Sequence, residues 1–193
     1  MVDGSRCWRS LFDGSDLNRL NARGALFDQC RLARVNLSGA RLPFLKCSDV
    51  EFLDTNLSTL ESSEASLQRV GFLRCKLSGL LLSESHCLDV EFRDCKMDYA
   101  VFHGMKFKQV MFAGCELREA EFHDCQFESV QWLDCDLERA SFHQDRFVSS
   151  EFRRCLMAGF RGLSNLRGAA MELDDMLVLA DALALELGIA RLE

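Results

Sequence analysis

Ten cysteines and four histidines carry most of the reactive side-chain chemistry in this 193-residue chain. Cys75, Cys95, Cys115, Cys135 and Cys155 recur every twenty residues, and so do His103, His123 and His143. Such columns could bind a metal, pass electrons or close disulfides, and a histidine column could sense pH. Zinc needs ligands that converge tetrahedrally, whereas a fixed period sets side chains in a line. No Ser-His-Asp or Cys-His arrangement emerges, and no carboxylate pair stands out as a tuned acid and base. The sequence therefore assigns no catalytic residue, no metal ligand and no cofactor, and it reads as a non-enzyme. The chemistry left is electrostatic. There are 30 Asp and Glu against 23 Lys and Arg, a formal net charge of −7, which argues against direct nucleic-acid binding.

What must position these residues is a repeat of five. From Phe12 to Met157 every fifth residue is Leu, Phe, Met or Trp in 26 of 30 cases, the exceptions being Ala22, Cys47, Ser62 and Cys87. The slot two residues earlier holds Ala, Cys, Val, Ser or Thr in 24 of the 30 units, the exceptions being Leu20, Leu45, Leu60, Leu80, Met105 and Asp145. A period of five fits neither an amphipathic helix nor an ordinary strand. A unit so short cannot bury one large and one small residue by itself, so it must wind into coils that stack. All ten Cys fall in these inward slots and read as small buried hydrophobes. Disulfides between coils are geometrically conceivable, but the expected cytoplasmic location disfavours them. That location is expected because no apolar run is long enough for a membrane helix, and MVDGSRCWRS lacks the apolar run of a secretory signal. The histidine column points outward and reads as a solvent-exposed ladder. Asp145, the one acid in an inward slot, is expected to bond backbone groups at a distorted turn or to face out.

The stretches NARGALFDQC, ARVNLSGARL and EAEFHDCQFE carry the motif A(D/N)Lxx, and through it residues 12–157 resemble the pentapeptide-repeat family. The resemblance implies an all-β fold, a right-handed quadrilateral parallel β-helix with four units to each coil. Thirty units would then give about 7.5 coils and a rod roughly 36 Å long. A period of twenty sorts the chain onto four faces. The first is centred on Phe12, Leu32, Phe52, Phe72, Phe92, Phe112, Trp132 and Phe152, and the second on Leu17, Leu37, Leu57, Leu77, Met97, Leu117, Leu137 and Met157. Aromatics stack on aromatics and Leu on Leu, as coils of four units would require. The third and fourth faces, centred on the Ala22 and Phe27 series, turn Phe-rich only in their later coils.

Charge is distributed unevenly along this rod. Residues 1–48 have a net charge of +4, residues 49–138 of −10 and residues 139–193 of −1. Mid-rod, the third face carries Glu61, Glu64, Glu84, Glu121 and Asp124 and no Lys or Arg. The first face carries Glu51, Asp54, Glu91, Asp94 and Asp134 against Arg74 and Arg93. These ten acids are the candidate partner-binding residues. An anionic rod of DNA-like width could occupy the Lys/Arg saddle of a protein that grips duplex DNA. The plainer alternative is a solvated surface that keeps the rod soluble.

The strict register ends at Met157. Ala158–Leu163 reads as a short insertion before centres at Leu166 and Met171, completing a solenoid domain of residues 1–172. Residues 173–193 read as a C-terminal helix and tail, with Asp174 and Asp175 suited to the helix start and Gly188 to its stop. Leu173, Met176, Leu177, Ala180, Leu183, Ala184 and Leu187 form one apolar stripe, and Leu179 and Leu185 a second. One face can cap the rod. The surplus suggests a homodimer joined end to end through Leu173, Met176, Leu177, Leu179, Ala180, Leu183, Leu185 and Leu187. This ending resembles the topoisomerase-protecting branch of the family, the Qnr and MfpA type and the immunity proteins of microcin B17, albicidin and cystobactamid producers. That resemblance implies a cytoplasmic dimer that binds DNA gyrase and topoisomerase IV as a DNA mimic and relieves poisoning, without contacting nucleic acid or membrane. The unbroken five-residue step leaves no room for the projecting loops of Qnr proteins, so the chain looks more like the loopless members. A general interaction scaffold with an unrelated partner is the alternative.

Overall fold

The computed structural model describes residues 3–189. They wind into a parallel β-solenoid of about eight turns that ends in a short helix. The pairing register is twenty along most of the rod, with Cys7 beside Phe27, Phe27 beside Cys47, and Phe52 beside Phe72. The corners have a backbone signature. Every fifth position from Gly4 to Gly159 has φ between 46° and 69°, and most of these residues are not glycine. The left-handed conformation costs about 1–2 kcal/mol for a residue with a Cβ. Along most of the rod the corner N–H donates to a backbone carbonyl one coil on, as Arg9 does to Asp28 at 2.9 Å and Asp54 to Leu73 at 3.0 Å.

The four faces are not equivalent. Mid-rod, the fourth and first faces are joined in eight-residue strands, Lys46–Leu53, Ser66–Leu73, His86–Arg93 and Lys106–Ala113. The third face is a separate sheet of three-residue strands, among them Glu61–Ser63, Val101–His103 and Glu121–His123. The second face keeps only isolated bridges between coils, such as Asn36 to Asn56. Four of its eight tight turns are braced by an Asp or Asn that precedes the central Leu. Asp16, Asn36, Asn56 and Asp136 accept the N–H two residues on, at 3.1–3.2 Å. This local bond competes with a strand ladder.

Inside, Phe52, Phe72, Phe92 and Phe112 stack with ring centroids 4.7, 4.7 and 4.9 Å apart, and Trp132 lies 4.2 Å from Phe152. Nine cysteines are buried and Cys7 is half-buried. In the five-residue column each thiol donates to the carbonyl of a first-face centre, Cys75 to Phe52 at 3.4 Å and Cys115 to Phe92 at 3.3 Å. Thr55 bonds Leu32 in the same way at 3.0 Å. Burial pushes the Cys87 and Cys125 thiols up to about 12, so they stay protonated and unreactive at neutral pH.

The C-terminal end corrects one expectation. The register of twenty does not stop for an insertion at Ala158. Phe160 is buried, and Arg161 still pairs with Ser141. The change comes later and shortens the coil by one residue, since Ala169–Met171 pairs with Ser150–Phe152. A 3₁₀ turn at Leu163–Leu166 causes it. Gly162 and Gly168 flank that turn at φ +83° and +92°, where a Cβ would lie 2.0 and 2.5 Å from the carbonyl oxygens of Phe142 and Phe147. Only glycine fits so close to backbone.

Helix α1 (Leu173–Glu186) lies across the last coil. Two carboxylates pin it. Asp175 accepts the N–H of Arg154 at 2.9 Å, and Glu186 accepts those of Gly162, Leu163 and Ser164 at 3.0–3.1 Å. Leu179 is buried with the rod core, whereas Leu173, Met176, Leu177, Ala180, Leu183 and Leu187 face out. Leu179 of the smaller apolar patch therefore faces the rod, which removes it from the expected dimer contacts. The side chain of Leu185 and residues 190–193 lie outside the described residues.

Candidate functional site

The ten candidate acids come from outward positions of the first and third faces, and the structure treats the two sets differently. On the first face, Arg74 reaches back one coil to Asp54 with two hydrogen bonds of 2.8 and 3.0 Å. Arg154 does the same to Asp134 at 2.6 and 2.9 Å. Glu51 lies 3.6 Å from Arg31, and Glu91 pairs with Arg93. The guanidinium bonds hold the Asp54 and Asp134 carboxyls below the usual carboxylate range. Only Asp94 of this set makes no ion pair among the described residues. Its carboxylate lies over Gly114, 2.7 Å from where a Cβ would stand.

On the third face, one acid of the five meets an arginine, Glu61 with Arg41 at 3.1 Å. Glu64 makes no ion pair among the described residues. Glu84 and Asp124 flank His103, at 3.5 Å from Nδ1 and 3.8 Å from Nε2. Glu121 lies 3.3 Å from His123 Nε2. The imidazoles of His123 and His143 stack with centroids 5.0 Å apart, so the histidine column lines the same face as the unneutralised acids. Glu84 reaches His103 by folding over Gly104, whose missing side chain leaves the space. The carboxylates and imidazoles run along the face instead of closing on a point. Among the described residues, no group of three or more His, Cys, Asp or Glu is arranged to hold a metal ion.

Asp145 takes the backbone-bonding role. Its Oδ1 accepts the Cys125 N–H at 2.7 Å, while Oδ2 is buried without a partner. Burial pushes this carboxyl up to about 6, against the opposing pull of the backbone bonds from Cys125 and His143.

Sequence reasoning missed the coil-to-coil neutralisation of the first face. Its signal was present: Asp54 and Arg74, like Asp134 and Arg154, stand twenty residues apart in one corner column.

The repeating coil and its five-residue corners define a pentapeptide-repeat solenoid, and the chain belongs to that family. It matches the family described as pentapeptide repeat region over residues 45–122 and 65–142, and the one described as pentapeptide repeats (8 copies) over residues 10–43. The family is not known for catalysis. Among solved structures, HetL is a pentapeptide repeat protein involved in heterocyst differentiation regulation from the cyanobacterium Nostoc sp. strain PCC 7120. It is 14% identical over 87% of each chain, with a TM-score of 0.41. Full-length QnrB1, a plasmid-mediated fluoroquinolone resistance protein, is 18% identical over 93% of this chain and 99% of its own, with a TM-score of 0.31. No curated protein matches the chain. No described helix is long and apolar enough to cross a membrane.

Proposed function

We propose that this protein is a non-catalytic DNA mimic that binds DNA gyrase or topoisomerase IV and protects it from a topoisomerase poison, as antibiotic resistance or self-immunity. The observation that carries this reading is the third face, where Glu64, Glu84, Glu121 and Asp124 stand on a stiff rod with no Lys or Arg partner among the described residues. A DNA-gripping saddle gains its affinity largely by neutralising phosphates, and fixed, unneutralised carboxylates offer it the same charge. The reading includes an end-to-end homodimer. Leu173, Met176, Leu177, Leu183 and Leu187 leave an apolar end exposed on one chain, and a two-fold partner would cover it. Sedimentation giving a monomer mass would remove the dimer. A scaffold role with an unrelated partner is favoured instead by the first face, whose acids are mostly neutralised by arginine.

The test is supercoiling by purified gyrase with and without a poison. Added protein at about micromolar concentration is expected to restore supercoiling in the poisoned reaction. Neither rescue nor inhibition at that concentration would defeat the proposal.

A further inference from the structure

The fourth face has no acidic excess mid-rod and carries a row of basic residues. Its sheet register aligns Lys46, Ser66, His86, Lys106, Gln126 and Arg146 in one outward row. Elsewhere the basic side chains are largely spent on neighbouring acids, as Arg69 is on Asp49 and Arg74 on Asp54. In this row Lys46, His86, Lys106 and Arg146 make no ion pair among the described residues. The parallel row across the strand centres holds Gln68, Leu88, Lys108, Glu128 and Val148. Lys108 and Glu128 neutralise each other at 2.7 Å, while Val148 is exposed and Leu88 half-buried. Between the rows runs an open groove of about 590 Å³, lined by His86, Lys106, Arg146, Leu88 and Val148 among others.

One wall thus carries cations unpaired among the described residues, and the other sets Leu88 and Val148 on either side of the neutralised Lys108–Glu128 pair, which together select an occupant. An extended peptide sends successive side chains to opposite sides. Laid along the groove, it would turn every second residue to the wall of Lys106 and Arg146 and the others to the opposite wall, where Leu88 and Val148 receive apolar side chains. Strands lie about 4.8 Å apart, so the row from Lys46 to Arg146 spans about 24 Å, the reach of seven or eight extended residues. A nucleic-acid strand suits it less well, since phosphates repeat on one side only and Glu128 with two apolar side chains holds the other wall.

We infer that the fourth face is a docking groove for an extended segment of a partner protein in which acidic and apolar residues alternate. This surface is separate from the acidic faces, and the inference does not rest on the topoisomerase reading.

Fluorescence anisotropy with the intact protein and a short labelled peptide of alternating Glu and Val tests it. Saturable binding is expected, weakening with added salt and falling about tenfold or more in the Lys106→Glu/Arg146→Glu double variant. Lys76→Glu, at a second-face lysine with no ion pair among the described residues, should leave binding unchanged, and matched far-UV spectra and melting curves show that the variants fold. The same peptide with Gln in place of Glu should not bind. Failure of the Glu-Val peptide to bind, unaltered binding by the folded double variant, or tighter binding of oligothymidylate at these residues would overturn the inference.

Discussion

The first and third faces are opposite sides of one rod, each with five acids mid-rod, and they use them differently. Behind the first face the Phe column stacks ring on ring within 5° of parallel, and its strands continue into the fourth face. Behind the third face the centres are mixed, Ser62 and Leu82 before Phe102. On the surface the first face has traded its charge for ion pairs, most of them between coils, while the third keeps its own. In a solenoid the formal charge of a face is not its free charge. What counts is whether opposite signs recur twenty residues apart in one column.

The largest expected effect probes the core of that contrast. Phe92 is buried and stacked on both sides, so Phe92→Ala should cost about 3–5 kcal/mol in urea unfolding. Ser62→Ala, at a third-face centre, removes one bond from the Ser62 hydroxyl to the Leu42 carbonyl at 2.6 Å and should cost about 1 kcal/mol. Equal losses would mean that the aromatic column contributes nothing special to the first face.

The next effect separates the two surfaces. Reversing Glu64, Glu84 and Asp124 to Lys is expected to weaken gyrase protection by about a hundredfold and to flatten its salt dependence. Reversing Glu51, Glu91 and Asp134 should change it by less than about threefold, because arginines already answer those acids. Equal losses from the two sets would assign the partner to the whole rod, and no loss from either would remove the electrostatic mechanism.

How much of this was legible in the sequence depended on the length scale. The five-residue step from Phe12 to Met157 gave the inward slots directly, because burial acts on each unit alike. The corner residues were visible in hindsight, since eight of the twelve glycines fall on the left-handed positions between Gly4 and Gly159. The turn character of the second face was likewise written in Asp16, Asn36 and Asn56, whose side chains bond their own loop. The direction of helix α1 was not legible. Two apolar patches compete for the rod, and the choice rests on Asp175 and Glu186 meeting backbone N–H groups that no periodicity announces. The C-terminal coil was misplaced for a related reason. A one-residue contraction through a 3₁₀ turn looks, in a five-residue count, like a register resumed at an offset of four.

The smallest expected effect is set by Asp145, where the third face hands over to the fourth. Ser85 occupies the same column three coils earlier. Its hydroxyl accepts the Ala65 N–H at 2.8 Å and donates to the Ser83 carbonyl at 2.6 Å, so both capacities are used. Asp145 reproduces the first bond, to Cys125, but leaves Oδ2 buried and unpartnered. The carboxyl is raised from its ordinary 3.8 to about 6, so between those values the folded chain holds a proton that the unfolded chain has released. Its contribution is therefore fully present below about pH 4 and is lost as pH rises through about 6. Asp145→Ser removes that titration and keeps the bond to Cys125. It should stabilise the protein by about 1–2 kcal/mol at about pH 7.5, allowing for the partial exposure of the site, and by little at about pH 4. Urea unfolding of both proteins at the two pH values measures the difference. A gain that is the same at both would show that Asp145 is not the group that loses its proton in this range.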